Sequence, residues 1–348
     1  MQKSYIFLQV GKVKIYNKLA CFDVDWTLIK PKSNRKFPKN NDDLQIWDKS
    51  IIKRLNNLIK DQYTIVLITN QKNKNNENAI EKANNIYKIL SVPFLYLASF
   101  KDDKYRKPAL GLWNKIKKYI NDIDINNSFF VGDAAGRLNA WEKGKKKDFS
   151  DSDRKFAYNI GINFNTPEEF FLDYSATNKW SWIGWNPESI LPKSSIPNFE
   201  KAVEIIVVMG LPASGKTTFI NQYFNDYIYY SGDKDGNNKL LKLVEKSMNK
   251  KESIIVEGLF YTSSSRQKVI ELIKKYDYNS KLFIMNINRD LALHLNKWRY
   301  LQGNKKIPMV VYNKWKKHYE EPTEEWDKII KIIPKWKKQK WQKIFFNN

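Results

Sequence analysis

Short, uninterrupted apolar runs recur along this chain between longer stretches in which apolar residues return every three or four positions. Leu19-Ala-Cys-Phe22, Thr64-Ile-Val-Leu-Ile-Thr69, Phe94-Leu-Tyr-Leu-Ala98 and Ser128-Phe-Phe-Val131 read as strands buried on both faces. Ile51-Ile-Lys-Arg-Leu-Asn-Asn-Leu-Ile59 carries helical spacing, as do the stretch before Phe94 and residues around 110–120. Residues 1–17 read as a short basic lead-in, and 72–78 as a polar loop. Between about 174 and 200 the pattern breaks into Trp, Pro, Ser and Asn, and beyond it strands return near 205–209, 253–256 and 281–287. Alternating strands and helices predict the α/β class, with two doubly wound domains. The expected boundaries are 1–175, a connection over 176–200 packed down by Trp180, Trp182 and Trp185, and 201–348. Ligands of such sheets bind beyond the carboxyl ends of the strands, so the polar residues there are the candidates.

A length of 348 residues suits two or three domains. Sixty-one Lys and Arg against 37 Asp and Glu leave a formal charge of +24. That excess favours a polyanionic partner, nucleic acid before anionic membrane, although a lysine- and asparagine-rich composition also produces it. The one cysteine, Cys21, excludes internal disulfides and fits a reducing compartment. No apolar run approaches the ~18 residues of a membrane span, and the N-terminus has no signal-peptide core. These features predict a soluble intracellular protein of cytoplasm or nucleus, without a membrane partner.

Gly210-Leu-Pro-Ala-Ser-Gly-Lys-Thr-Thr218 follows an apolar strand and precedes a helical pattern, the context of a phosphate-binding loop. Gly210 and Gly215 let backbone amides curl around a polyphosphate, Lys216 offers a charge to the β and γ oxygens, and Thr217, followed by Thr218, can ligate magnesium. The second half of the chain therefore reads as a user of a nucleoside triphosphate. In the first half, Phe22-Asp-Val-Asp-Trp-Thr27 sets two carboxylates two residues apart after a strand. There Asp23 can attack phosphorus while Asp25 protonates the leaving oxygen, though acidic pairs also occur in plain turns. Three further pieces follow in order at later strand ends. Thr69 can bind a phosphate oxygen, Lys107 can offset the charge of the phosphoryl group, and Asp133 with Asp23 can hold a hard cation.

This order resembles the haloacid dehalogenase superfamily. Tyr105-Arg-Lys-Pro108, Phe130-Val-Gly-Asp-Ala-Ala-Gly-Arg137, Lys145-Lys-Lys-Asp-Phe-Ser150 with Asp153-Arg154, and Thr166-Pro-Glu-Glu-Phe170 narrow the resemblance. They look like the phosphatase half of the bifunctional polynucleotide kinase 3′-phosphatase family, and the likeness runs on to about residue 319. It implies removal of a 3′-phosphate through an aspartyl phosphate on Asp23, with Asp25 as acid and then base. Thr69, Arg106, Lys107 and Arg137 fall near the substrate phosphate, Asp23, Asp25 and Asp133 in the metal set, and Asp148 and Asp153 behind it or on the surface. In the kinase half the resemblance gives Asp233 the role of base on a 5′-hydroxyl, with Asp235 competing, and gives Glu257, with Thr217, the magnesium. Arg299 in His294-Leu-Asn-Lys-Trp-Arg299 matches the lid arginine, with Lys297 and Arg266 beside it in role. His294 reads as a satisfied helix-surface residue.

The chain departs from the family pattern in four places, one of them Glu257, which stands where the family has an aspartate. Trp26 replaces a glycine, 72–76 lacks the usual glycines, and Ser231-Gly-Asp233 lacks an arginine. Trp326, Trp336 and Trp341 among lysines suit either single-stranded nucleic acid or packing of the tail. The expected protein is a monomeric end-healing enzyme that uses Mg2+ and ATP on nucleic-acid ends, DNA before RNA, without a phosphopeptide-binding domain. RNA-directed repair, action on small phosphorylated metabolites, and a nucleic-acid-binding scaffold with one inactive site are the alternatives.

Overall fold

Each of the chain's two units is built on one sheet. The computed structural model describes residues 3–33, 35–36, 38–72, 74–200, 202–232, 237–335 and 340–346, and the units are Met1–Pro187 with Lys343–Asn347, and Glu188–Gln342. The first unit contains Tyr5–Val10 (β1), Lys18–Phe22 (β2), Ile29–Lys30 (β3), Gln45–Ile46 (β4), Tyr63–Asn70 (β5), Phe94–Ser99 (β6), Phe129–Val131 (β7) and Asn163–Asn165 (β8). Its six-stranded sheet runs β1-β6-β5-β2-β7-β8, with β1 antiparallel and the other pairs parallel, and β3 and β4 form a separate pair. On β2, Ala20 and Phe22 enter one core while Leu19 and Cys21 enter the other. Burial on both faces is why this strand reads as a solid apolar run. From β2 the sheet continues one way to β5 and the other way to β7. The carboxyl end of β2 is therefore a topological switch point, where α/β sheets place their ligands.

Three expectations change in this unit. Residues 5–10 are a full edge strand rather than a basic lead-in, paired from Tyr5 to Val10 with β6. Lysines at 3, 12, 14 and 18 hide its alternation in the sequence. The polar stretch 72–78 gives way to helix Asn76–Leu90 already at Asn76, because the Asn75 side chain accepts the Asn78 amide and caps it. The connection's tryptophans do pack down: Trp185 is buried, Trp182 lies 4.2 Å from Phe345, and Trp180 covers Arg154. Phe345 is buried and exchanges backbone hydrogen bonds with the Asn159 amide, so the stretch 343–346 belongs with this first unit instead of the second.

The second unit holds Glu204–Met209 (β9), Ile228–Ser231 (β10), Ile254–Gly258 (β11), Asn279–Met285 (β12) and Lys328–Ile332 (β13). The sheet is wholly parallel in the order β10-β11-β9-β12-β13. Again one strand alternates between two cores, with Ile205, Val207 and Met209 on one side and Ile206 and Val208 on the other. Central β9 delivers the glycine-rich loop to a switch point of its own. Among the described residues no helix is long and apolar enough to cross a membrane.

Arg266 departs from its expected place beside the lid. It is fully buried, its Nε 2.9 Å from Glu324, with Nη1 and Nη2 donating to the carbonyls of Phe260 and Glu321. A guanidinium so occupied braces the fold. Arg266→Ala strands a buried carboxylate, for which a loss of about 3–5 kcal/mol is expected. Denaturant unfolding should report that loss, and a change below about 1 kcal/mol would contradict the role.

Candidate active sites

Asp23 leaves β2 with its amide donating to the Val131 carbonyl at 2.8 Å, which points its carboxylate out of the switch point. Lys107 is buried and bridges Asp23 Oδ1 at 2.6 Å and Asp153 Oδ1 at 2.8 Å. Asn70, at the end of β5, holds the Lys107 backbone by both faces of its amide: Oδ1 accepts the Lys107 amide and Nδ2 donates to its carbonyl. Asp133 follows β7, its amide donating to Thr27 Oγ1. Carboxylate oxygens of Asp23, Asp133 and Asp153 lie within 4.8 Å of one another. Gly132 makes room for this cluster, since a Cβ there would meet Asp153 Oδ2 at 2.4 Å.

The Asp23 carboxyl is raised to about 7 in all: burial pushes it up most, Lys107 pulls it down, and Asp153 and Asp25 add to the rise. Asp133 is raised well above the ordinary range, first by burial and then by Asp23 and Asp153. For Lys107, burial works against the charge, yet Asp153 and Asp23 outweigh it and the net shift is upward. Three crowded carboxylates, two of them reluctant to ionise, fit a hard divalent cation that would hold them ionised.

Raised carboxyls bind more protons folded than unfolded between pH ~4 and ~7, so without metal this group's contribution to stability declines as pH rises through that window. A cation selects the ionised form. The thermal stabilisation produced by excess Mg2+ should therefore be larger at pH 8 than at pH 6. Equal shifts at the two pH values would refute this linkage.

The other predicted residues separate into two groups. Thr69 is buried and shares Gln71 Nε2 with Asp25, at 2.9 and 2.7 Å. The Asp25 carboxylate is held by Gln71 and by Lys82 and is not one of the three clustered carboxylates. Asp153, by contrast, belongs to the cluster itself. Arg106 keeps a buried Nη1 without a hydrogen-bond partner among the described residues, and burial lowers its pKa. That orphaned donor suits an anionic ligand. Arg137 is corrected from substrate contact to brace: its guanidinium is taken up by Asp148, Glu168 and the Asp133 carbonyl, and stacks on Trp141. Asp148 in turn accepts the Ala135 and Arg137 amides, fixing the loop that carries Asp133. Asn70, Gln71 and Lys82 escaped the sequence reading; for Asn70 and Gln71 their place directly after Thr69 at a strand end was the available signal.

The second site begins at Gly210, which lies so close to β12 that a Cβ would meet Met285 Cβ at 2.7 Å. Gly215 N-caps helix Lys216–Tyr223. The Lys216 ammonium donates to the carbonyls of Gly210 and Leu211, at 2.9 and 3.0 Å, inside its own loop. Thr217 Oγ1 donates to Glu257 at the end of β11, at 2.8 Å, and Tyr229 donates to the same carboxylate at 2.7 Å. A hydroxyl beside a carboxylate at the mouth of the loop fits a hard cation. Thr218 is exposed on the first turn of the helix. Arg299 lies half-buried on helix Arg289–Leu301. Its charge, with that of Arg289, acts on Tyr312, a buried phenol that donates to the Pro212 carbonyl within the glycine-rich loop. Lys297 is buried, and His294 is buried rather than on the helix surface, its Nε2 2.8 Å from the Trp341 carbonyl. Trp341 packs into the fold accordingly, and Trp326 packs against the core. Asp233, Asp235 and Trp336 lie outside the described residues.

A buried aspartate cluster on one α/β sheet and a phosphate-binding loop on another define a two-domain phosphoryl-transfer enzyme. Residues 18–171 match the family model described as polynucleotide kinase 3 phosphatase. The bifunctional polynucleotide phosphatase/kinase of Schizosaccharomyces pombe is 32% identical over 337 residues, spanning 92% of this chain and 80% of that protein. The polynucleotide 3′-phosphatase ZDP of Arabidopsis thaliana is 36% identical over 182 residues, 46% of this chain and 25% of that protein. A polynucleotide 3′-phosphatase of Saccharomyces cerevisiae is 29% identical over 211 residues, 43% of this chain and 85% of that protein. The chain belongs to the bifunctional polynucleotide phosphatase/kinase family.

Proposed function

We propose that this enzyme heals nucleic-acid strand breaks: it removes 3′-phosphates and phosphorylates 5′-hydroxyls with ATP, leaving ends a ligase can join. The observation that carries the reading is the pairing of Lys107 with Asp23 and Asp153 beside Asp133, in a chain that also holds the Lys216 loop. At the first site an Asp23 oxygen attacks phosphorus, the bond from phosphorus to the 3′-oxygen breaks, and Asp25 gives that oxygen a proton. Asp25 then takes a proton from water, whose oxygen displaces Asp23 and releases inorganic phosphate. Lys107 and Arg106 offset the negative charge, and Thr69 donates to a phosphate oxygen. Asp23, Asp133 and Asp153 would hold Mg2+, which supplies charge neutralisation when bound.

At the second site Lys216 and the loop amides hold the ATP phosphates, while Thr217 and Glu257 would hold the second Mg2+. The 5′-hydroxyl attacks the γ-phosphorus, Asp233 accepts its proton, Arg299 neutralises charge on the transferred group, and ADP leaves. The excess of 24 positive charges suits a phosphate backbone as substrate. DNA is the favoured polymer, acted on by a monomer.

One oligonucleotide bearing a 5′-hydroxyl and a 3′-phosphate, in DNA and RNA versions with ATP and Mg2+, tests the reading when each end is followed separately. Conversion of both ends supports it; hydrolysis of a free sugar phosphate with neither end altered overturns it.

A further inference from the structure

Helix Asn76–Leu90 buries a stripe of residues at 79, 82, 83, 86 and 90, and four of the five are Ala, Ile or Leu. The fifth is Lys82, only 5% exposed, placed where a helix facing a sheet carries an apolar side chain. Its ammonium lies 2.7 Å from each oxygen of Asp25. The Asp25 side chain itself stays 30% exposed, at the mouth of the first site. Desolvation of a buried lysine can exceed what such a pair returns, and a well-packed apolar residue often holds a fold as firmly. The pair therefore calls for a reason other than stability.

Geometry supplies that reason. With Lys82 bridging the two oxygens and Gln71 on Oδ2, the plane of the carboxylate is fixed by two donors from separate elements. Among the described residues Oδ1 carries only the Lys82 contact, which leaves it a lone pair for a further partner. We infer that Lys82 is a positioning residue: it orients Asp25 so that Oδ1 meets the leaving 3′-oxygen of the substrate. Resting on the end-healing function proposed above, this assigns the aiming of the proton-transfer group to a residue outside the strand-end motifs. Proton transfer by a well-placed carboxyl is worth about 10²–10⁴-fold in rate, and loss of aim forfeits part of that.

The test uses the full chain and variants Lys82→Met and Lys82→Arg, and follows the first chemical step alone. Single-turnover appearance of the 3′-hydroxyl end of an oligonucleotide, read after an acid quench, has a poor leaving group that needs its proton, whereas the burst of p-nitrophenolate from p-nitrophenyl phosphate does not. Lys82→Met should slow the oligonucleotide reaction by about 30-fold or more at saturating substrate and the burst by about threefold or less. Lys82→Arg should recover most of the oligonucleotide rate, since a guanidinium can also span both oxygens. The 5′-kinase activity of the same preparations reports that the chain is folded. Equal losses on both substrates, or no loss on either, overturn the positioning role while leaving the end-healing function intact. A wild-type chain that never removes a 3′-phosphate removes both.

Discussion

Asp23→Asn abolishes removal of the 3′-phosphate, by at least about 10³-fold, and leaves 5′-phosphorylation within about twofold of the parent. The amide is the same size as the carboxylate, but it is neither a nucleophile toward phosphorus nor a charged ligand for a cation, so both uses of Asp23 end together. The fold tolerates the change. Lys107 keeps its 2.8 Å contact with Asp153, so no ammonium is stranded. Burial already disfavours the Asp23 anion, which means the metal-free protein loses a group that is costly to ionise. Thermal unfolding without metal should accordingly match the parent within a few degrees, while the stabilisation by Mg2+ shrinks at this site. End-resolved assays on the doubly modified oligonucleotide read the two activities together. A variant that still clears the 3′-end would remove Asp23 from the nucleophile's role, and loss of both activities would mean that the substitution damages the chain as a whole.

Candidate residues that lie at or near strand ends could be placed from the sequence, because their chemistry and their position are both local. Asp23, Thr69, Lys107, Asp133, Lys216 and Thr217 each follow an apolar run, and the switch points of the two sheets bring them to the ligand side. Residues whose role depends on a distant partner could not. Arg137 and Arg266 look like phosphate contacts until Asp148, Glu168 and Glu324 are seen to take their guanidinium groups. Lys82 is 57 residues from Asp25 in the chain, and Asp153 meets Asp23 only through packing of helix Ser152–Ile160. Trp26 is a case between the two. The family's glycine at that position has a backbone reason, since Trp26 keeps a φ of +61°, a conformation that strains residues with a Cβ. Its indole donates to the Lys36 carbonyl at 2.7 Å, tying the strained turn to the loop beyond β3. The sequence announced the departure; only the backbone angle says what it costs.

Lys216→Ala should remove 5′-phosphorylation by at least about 10³-fold and leave 3′-phosphate removal within about twofold. Without nucleotide, the ammonium donates to Gly210 and Leu211, which keeps it at the mouth of the loop with its charge balanced by carbonyl oxygens. A polyphosphate offers charged acceptors, so binding exchanges the ammonium's bonds to neutral carbonyl oxygens for stronger bonds to anionic ones. Alanine has nothing to exchange. The structural loss is small by comparison, about 1 kcal/mol for each carbonyl left without its donor, and the buried strand β9 beneath the loop is untouched. Lys216→Arg makes the argument sharper: it preserves the charge, but its planar fork cannot take the ammonium's place between the two loop carbonyls, and it too should fail to phosphorylate. Stabilisation of the protein by ATP with Mg2+ in a thermal scan gives the binding side of the same test. An arginine variant with parental kinase activity would show that charge alone, and not the compact ammonium held inside the loop, is what the second site requires.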